Sequence, residues 1–397
     1  MNKKYVIIVP DGAADYPIPA LGDKTIFEAA ETPNLDFVAL NGLQGLSHTV
    51  PADLQPGSDV AMMAVLGYDS SKYYTGRAPI EAVAQGIDVS EEDWIFRCNL
   101  ATIKDGAMAD HSAGHITSDE GKIFIEELNK SLGDERIRFY PGVGYRHLMV
   151  VKGYDFSDVQ TSPPHDFIGT NINELLPKGK NSDLLNDLIQ KSRQLFKDHH
   201  INQVRRSSGK NEASTAWFWG QGKKAKMEPF QKKYGLKGAA ITAVDLVRGL
   251  AYLIGFNVIK VEGATGYFDT NYRGKGQAAI DALRNHDIVL VHVEATDEAG
   301  HAGDAMVKKK SLEEIDKHII GPVLAELRKY SEWRLLVLPD HPTPVSTKGH
   351  VNEPVPFALN GTGVVGKIHL QFNETNAAKT GLIFKNGFEL MDFFLNR

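Results

Sequence analysis

The chain has 397 residues, 42% hydrophobic and 24% charged, with 44 Lys plus Arg against 50 Asp plus Glu and a formal charge of −6. That composition excludes a disordered chain, a collagen-like repeat and a coiled coil, and the mild charge with no long basic run speaks against nucleic acid as a partner. No apolar run approaches the ~20 residues of a transmembrane helix, and the lone Cys98, which has no internal disulfide partner, fits a reducing cytoplasm.

Tyr5–Val9 reads as a first strand that ends at Pro10-Asp11-Gly12. It is too short for a signal peptide and lacks a small-residue cleavage site. Pro56-Gly-Ser-Asp59 then opens an apolar helical pattern from Val60 to Leu66. From about residue 95 to about 232 the order is less regular. This stretch carries turns such as Thr161-Ser-Pro-Pro-His165 and the lysine-rich run Gly222-Lys-Lys-Ala-Lys226. It also carries two helical patterns, Leu128 with Leu132 after Gly121, and Leu184, Leu185, Leu188 and Leu195. Ala243, Leu246, Val247, Leu250 and Ile254 share a later helical face. Three further apolar runs follow: Phe256–Val261 before Glu262, Ile288–Val293 before Glu294, and Leu335–Leu338 before Pro339-Asp340-His341. Continuous Val/Ile/Leu runs suit strands covered on both faces. Their alternation with helices predicts a doubly wound, mostly parallel α/β sheet over residues 1–95 and 233–397. Residues 96–232 are expected to form a smaller inserted α+β domain.

Polar residues recur just past the strand ends, the edge that carries the binding site in open α/β sheets. Asp297 and His301, four apart at a helix opening, share one face and suit a cation. Asp340-His341, with His350 nine residues on, and Asp11 after the first strand are of the same kind. Ser58 would sit at a helix N-terminus, where backbone N–H groups favour a phosphate. Each feature alone has a plainer explanation: helix caps for Asp297, Asp11 and Ser58, a surface turn for Asp340-His341. Together, three Asp and three His suffice for two divalent sites of mixed O and N ligands. Two such ions activate a nucleophile and clamp a phosphoryl group. No G-x-S-x-G signature supplies another activator for Ser58.

In the order Pro-Asp-Gly, Gly-Ser-Asp, Asp-x-x-x-His, Asp-His and a later His, the sequence resembles the alkaline phosphatase superfamily. Within it, the chain is most similar to the cofactor-independent phosphoglycerate mutases of archaeal type. Thr75-Gly-Arg-Ala-Pro-Ile-Glu-Ala82, His111-Ser-Ala-Gly-His115, Gly142-Val-Gly-Tyr-Arg-His147 and Trp217-Phe-Trp-Gly-Gln-Gly-Lys223 extend the resemblance over nearly the whole chain. The resemblance implies that Asp297, His301 and His350 hold one metal. Asp11, Ser58, Asp340 and His341 would hold the other, with Ser58 also the nucleophile. It implies two divalent ions, manganese above all, with zinc, cobalt or magnesium as substitutes, and no 2,3-bisphosphoglycerate. Lys260 resembles the family's substrate-phosphate lysine. His111, Arg146 and His147 resemble its substrate-side residues. Longer bacterial relatives carry paired arginines where this chain reads Trp219-Gly-Gln-Gly-Lys-Lys224, and Arg205 and Arg206 are the expected substitutes. Trp217 and Trp219 read as packing residues, and Arg77 as half of an ion pair.

The expected activity is therefore interconversion of 3-phosphoglycerate and 2-phosphoglycerate through a phosphoserine, by a cytoplasmic enzyme acting on a small phosphorylated substrate. The insert would retain the glycerate, with hinges near residues 95 and 232. The alternatives on the same scaffold are a homoserine kinase-like phosphotransferase of threonine biosynthesis and a metal-dependent phosphomonoesterase. No G-x-x-x-x-G-K-[ST] loop supports a nucleotide site.

Overall fold

The computed structural model describes residues 3–396, which divide into two compact units. One comprises residues 3–74 and 227–396, the other residues 75–226. Strands β1 (Lys4–Pro10) and β2 (Leu43–Ser47) precede the second unit. Strands β3 (Trp94–Lys104), β4 (Ala107–Asp110), β5 (Ile137–Tyr140), β6 (Arg146–Val151) and β7 (Thr215–Lys223) lie within it. Strands β8 (Gly238–Ile241), β9 (Asn257–Ile259), β10 (Ile288–Val293), β11 (Trp333–Val337), β12 (Val355–Gly361) and β13 (Ile383–Phe384) follow.

The first unit is built on an eight-stranded sheet in the order β13-β2-β12-β11-β1-β10-β8-β9. From β11 to β9 every pairing is parallel, and β12 is antiparallel to both its neighbours. Every residue of β1 and β10 is buried, as unbroken apolar runs require when helices cover both faces. On one face Val6, Ile8, Val289, Val291, Leu335 and Val337 pack with Leu312, Ile315, Ile319, Val323 and Leu327. Each such fully buried side chain contributes roughly 1.5–3 kcal/mol of transfer free energy. The expected doubly wound, mostly parallel sheet is present. Its three central strands run in parallel, so their C-terminal ends share one edge. Chain order also reverses on either side of β1, a topological switch point.

The second unit is a smaller α+β body with antiparallel pairings throughout. Its sheet runs β4-β3-β6-β5, and β7 also pairs with β3. Helix Ser118–Leu132 opens on a capping box between Thr117 and Glu120. Helix Ser182–Phe196 buries Leu185, Leu188 and Ile189 in a core shared with Phe96, Phe124, Phe139 and Trp217. The unit begins at Thr75 and ends at Lys226, whereas residues 96 and 232 were the expected bounds. The shift at its start has a packing cause. Helix Arg77–Ala84 turns Ala78 and Ala82 onto Val89, Ile95, Leu148 and Val150, so it belongs to this unit's core. Among the described residues no helix is long and apolar enough to cross a membrane.

Candidate active site

Asp11 follows β1, Glu294 and Asp297 follow β10, and Asp340 and His341 follow β11. Parallel register brings all five to the same edge. The turn after β1 needs a glycine. Gly12 has φ +63°, and a Cβ there would lie 2.6 Å from Asp297 Oδ1 and from Thr343 Oγ1. The buried Lys308 ammonium ties two of the strand-end loops together. It donates to Asp15 Oδ2 at 2.7 Å and to the Thr343 carbonyl at 2.8 Å.

Ser58 is the first residue of helix Ser58–Val65, and the cap is Gly57. Its hydroxyl therefore caps nothing. It lies 3.3 Å from Asp11 Oδ2, to which it donates, and 3.2 Å from His341 Nε2. The plain explanation of Ser58 as an N-cap is thus replaced by an Oγ aimed into the carboxylate–histidine cluster.

The cluster has two parts. In the first, Asp297 Oδ2 is 3.2 Å from His301 Nε2, and Asp297 Oδ1 is 3.4 Å from His350 Nε2. The two Nε2 atoms are 3.0 Å apart. His301 Nδ1 donates to the Lys348 carbonyl and His350 Nδ1 to the Pro56 carbonyl. A carbonyl only accepts, so each neutral ring carries its proton on Nδ1 and turns a lone pair on Nε2 toward its neighbour. Two facing lone pairs beside a carboxylate need a proton or a cation between them. In the absence of a metal, the bond to Asp297 pushes His301 up to about 9.

In the second part Asp11, Asp340 and His341 meet, all fully buried. His341 Nε2 is 3.6 Å from Asp11 Oδ1 and 3.5 Å from Asp340 Oδ2. Thr343 Oγ1 donates to Asp297 and accepts from His341 Nδ1, which again leaves Nε2 as the inward lone pair. Burial, then the charges of Asp340, Glu294 and Asp297, raise Asp11 well above the usual carboxylate range. Asp11 Oδ1, Asp340 Oδ2, His292 Nε2 and Glu294 Oε2 are buried without a hydrogen-bond partner. Unsatisfied buried acceptors are costly, and here they cluster where a cation would satisfy them at once. The donor sets Asp297/His301/His350, Asp11/His292/Asp340 and Asp11/Asp297/His341 each place their ligand atoms within 4.8 Å of one another. The residues fit divalent metals.

His292, Glu294 and Lys275 escaped the sequence reading. His292 sits inside the apolar run of β10, with Nε2 2.9 Å from Asp11 Oδ2. Burial raises Glu294 to about 7 and lowers Lys275 to about 8. Lys275 Nζ donates to the His292 carbonyl at 3.2 Å. The available signal was a histidine, two residues from a glutamate, at the end of an otherwise aliphatic strand.

Several expected substrate residues lie elsewhere. Lys260 is exposed beyond β9, the edge strand, with β8 and β10 between it and β1. It therefore follows the edge of the sheet, two strands from β10, which leads to Asp297. His147 is 1% exposed, accepts from the Gly142 N–H at 2.9 Å, and is lowered by burial to about 3. It is a core residue and presents nothing to a substrate. Arg205 is equally buried. It donates to Glu120 Oε2, the Ala113 and Gly114 carbonyls and the Asn211 carbonyl. Arg206 pairs with Glu212. Both guanidiniums are engaged internally, and Arg205 instead holds the loop that carries His111. That loop is also fastened by Asp110, which accepts from Ser112 and Gly114 N–H at 2.8 Å each. Ala113 and His115 take φ +48° and +49° within it, an arrangement these bonds sustain. His111 is half-buried and Arg146 is exposed, stacked on Tyr145.

A family model described as 2,3-bisphosphoglycerate-independent phosphoglycerate mutase matches residues 39–202. A relative from Methanosarcina barkeri bearing that name is 48% identical, covering 95% of both chains. Another, from Methanothrix thermoacetophila, is 45% identical, covering 98% of both. Among solved structures, a Pyrococcus horikoshii protein superimposes with a TM-score of 0.85 at 28% identity, covering 100% of this chain and 97% of that one. A cofactor-independent phosphoglycerate mutase from Thermoplasma acidophilum does so with 0.69 at 28% identity, covering 99% of each.

Proposed function

The chain belongs to the 2,3-bisphosphoglycerate-independent phosphoglycerate mutases, and on that premise we propose that it interconverts 3-phosphoglycerate and 2-phosphoglycerate through a phosphoserine at Ser58. It is an isomerase that moves a phosphoryl group within one substrate and needs no bisphosphoglycerate primer. The observation that carries this reading is the Ser58 hydroxyl. It starts a helix, caps nothing, and points at Asp11 and His341. The full-length likeness to mutases gives no support to homoserine phosphorylation.

Asp297, His301 and His350 would hold one divalent ion, and Asp11, Ser58, Asp340 and His341 the other, with His292 a further donor to the second. Manganese suits this mixed O and N donor set. Bound there, the ions lower the cost of ionising a hydroxyl and balance charge on phosphoryl oxygens. The protein's own groups do the rest. Ser58 Oγ bonds to phosphorus as the bond from phosphorus to the glycerate 3-oxygen breaks. The helix N-terminus beneath Ser58 adds favourable backbone dipoles for the phosphoryl group. The 2-hydroxyl of the retained glycerate then takes the group back and frees Ser58. Thr343, Lys348 and Pro56 keep three imidazoles in the orientation this requires. His111 and Arg146 are the groups we assign to the glycerate half. The lone, buried Cys98 is in keeping with a cytoplasmic enzyme.

The test supplies manganese-loaded protein with 3-phosphoglycerate and no bisphosphoglycerate, and in parallel homoserine with ATP. Formation of 2-phosphoglycerate, lost on chelation, is expected. Phosphohomoserine, or inorganic phosphate alone, would overturn the mutase reading.

A further inference from the structure

Ser58 differs from the other groups of the site in what carries it. Asp11, Glu294, Asp297, Asp340 and His341 follow strands β1, β10 and β11, whereas Ser58 opens a helix after the segment that leaves β2. Ala52, Asp53 and Gln55 of that segment are exposed. The helix start rests on a small core of its own, made of Val50, Val60 and Ala61 with Leu54 and Tyr74 packed against them. No side chain caps this helix, because its cap residue is Gly57. The first turn must therefore be held by other bonds.

Two such bonds lie one on either side of Ser58. Before it, the Pro56 carbonyl accepts from His350 Nδ1 at 3.2 Å. After it, the Asp59 carboxylate, 7% exposed, accepts from the Tyr74 hydroxyl through Oδ2 at 2.7 Å and from the Val60 N–H through Oδ1 at 3.1 Å. The hydroxyl–carboxylate distance is that of a charge-assisted bond, the stronger kind. Gly57 fits between the two fastenings: a Cβ there would lie 2.9 Å from Asp59 Oδ1 and 3.9 Å from His350 Nδ1. Tyr74 is thus joined to the serine-bearing turn twice, by packing on the small core and by its hydroxyl. It is also the last residue of the first unit, so the turn is fastened from the point at which the chain leaves that unit.

We propose that Tyr74 is a positioning residue for the phosphoryl transfer. Its hydroxyl, acting through Asp59, fixes the first turn of the helix and with it the line along which Ser58 Oγ meets phosphorus. Such an attack tolerates little displacement, since about 1 Å of misplacement costs on the order of 100-fold in rate. Neither Tyr74 nor Asp59 is among the groups assigned to metal or substrate, so the pair governs the transfer step and not the binding that precedes it. The assignment rests on Ser58 as the nucleophile, and its test separates the two.

The experiment measures kcat and KM for 3-phosphoglycerate on manganese-loaded, full-length protein. It compares Tyr74→Phe, Asp59→Ala, the two combined, Asp59→Asn and Ser58→Ala. Tyr74→Phe keeps the ring and loses only the hydroxyl. It is expected to lower kcat by about 10-fold, with KM and manganese stoichiometry within about twofold of the wild type. Asp59→Ala should do the same, and the double variant no more, because both break one bond. Asp59→Asn, whose amide oxygen still accepts from Tyr74, should recover most of kcat. A tyrosine needed only for stability would lower Tm and the folded fraction, and leave kcat per metal-loaded molecule unchanged. That result, a kcat loss accompanied by an equal rise in KM, or an Asp59→Asn variant as slow as Asp59→Ala would overturn the proposal. Turnover that survives Ser58→Ala would discard the phosphoserine reading and the proposal with it. An inactive Ser58→Ala beside an unimpaired Tyr74→Phe would overturn the proposal alone.

Discussion

The two units handle buried charge in opposite ways. At the strand ends of the first, Asp11, Glu294, Asp297 and Asp340 crowd together with imidazole lone pairs turned inward, and buried oxygens go unsatisfied. In the second, buried arginines meet acids of their own unit, Arg97 with Glu81 and Arg205 with Glu120. One region leaves buried charge without an internal partner, and the other supplies the partners itself. Divalent cations would supply what the first region lacks. The lesson is that buried charge without an internal partner identifies its ligand by sign. The groups of the first region leave strand ends, whereas His111 rides on a loop fastened by Asp110 and Arg205.

Ser58→Ala breaks the comparison most severely. It should lower turnover by about four orders of magnitude or more while Tm stays unchanged. Substantial residual mutase activity would eliminate the phosphoserine. His292→Leu probes the orphaned ring beside Asp11. Metal affinity, followed by titration into chelated protein, should fall by about 10–100-fold. An unchanged affinity would make His292 a packing residue. In the second unit the contrast lies between adjacent arginines. Arg205→Met strips a buried ion pair and leaves carbonyls unpaired, so about 2–4 kcal/mol of stability should be lost. Arg206→Met removes an exposed pair and should cost at most about 0.5 kcal/mol. Equal thermal shifts for the two would contradict the burial difference. An effect seen only as a pH dependence concerns Glu374, an acid outside the cluster that accepts from Thr25 Oγ1 at 2.7 Å. Burial raises it to about 7 from 4.5. Its contribution to stability is full below about pH 4.5 and is lost as pH rises through about 7. Glu374→Gln should flatten that part of the Tm–pH curve by a few degrees, equally with and without metal. A flattening seen only after chelation would tie Glu374 to the cation sites.

Much of the first unit was legible because its signals are redundant. Aliphatic runs marked the strands, and acids at their ends stand out against them. The inserted body was legible as irregularity, but its start was not. Helix Arg77–Ala84 shows the same amphipathic pattern whichever sheet it packs on, so nothing local assigns it to β3 and β7. His292 was hidden because a lone histidine within an apolar strand looks like an ordinary buried residue. For Lys260, nearness in sequence to Thr265-Gly-Tyr says nothing of position across a sheet, and β9 is its edge. Arg205 and Arg206 misled for another reason. A positive charge in a sequence does not disclose whether the protein supplies its own counter-ion, and here Glu120 and Glu212 do.

The split of the first unit around residues 75–226 has a bearing on biosynthesis. β1 pairs with β10 and β11, whose residues begin at Ile288 and Trp333. A ribosome therefore releases β1, Asp11 and Ser58 long before their neighbours exist. The strands of residues 75–226 pair only with one another, so that body is free to fold while the chain is still growing. The cation-binding edge is assembled last, when the segment carrying Asp340, His341 and His350 has emerged. On the proposed function, metal capture would come only after that, and a nascent or truncated chain would carry Ser58 without the residues that activate it.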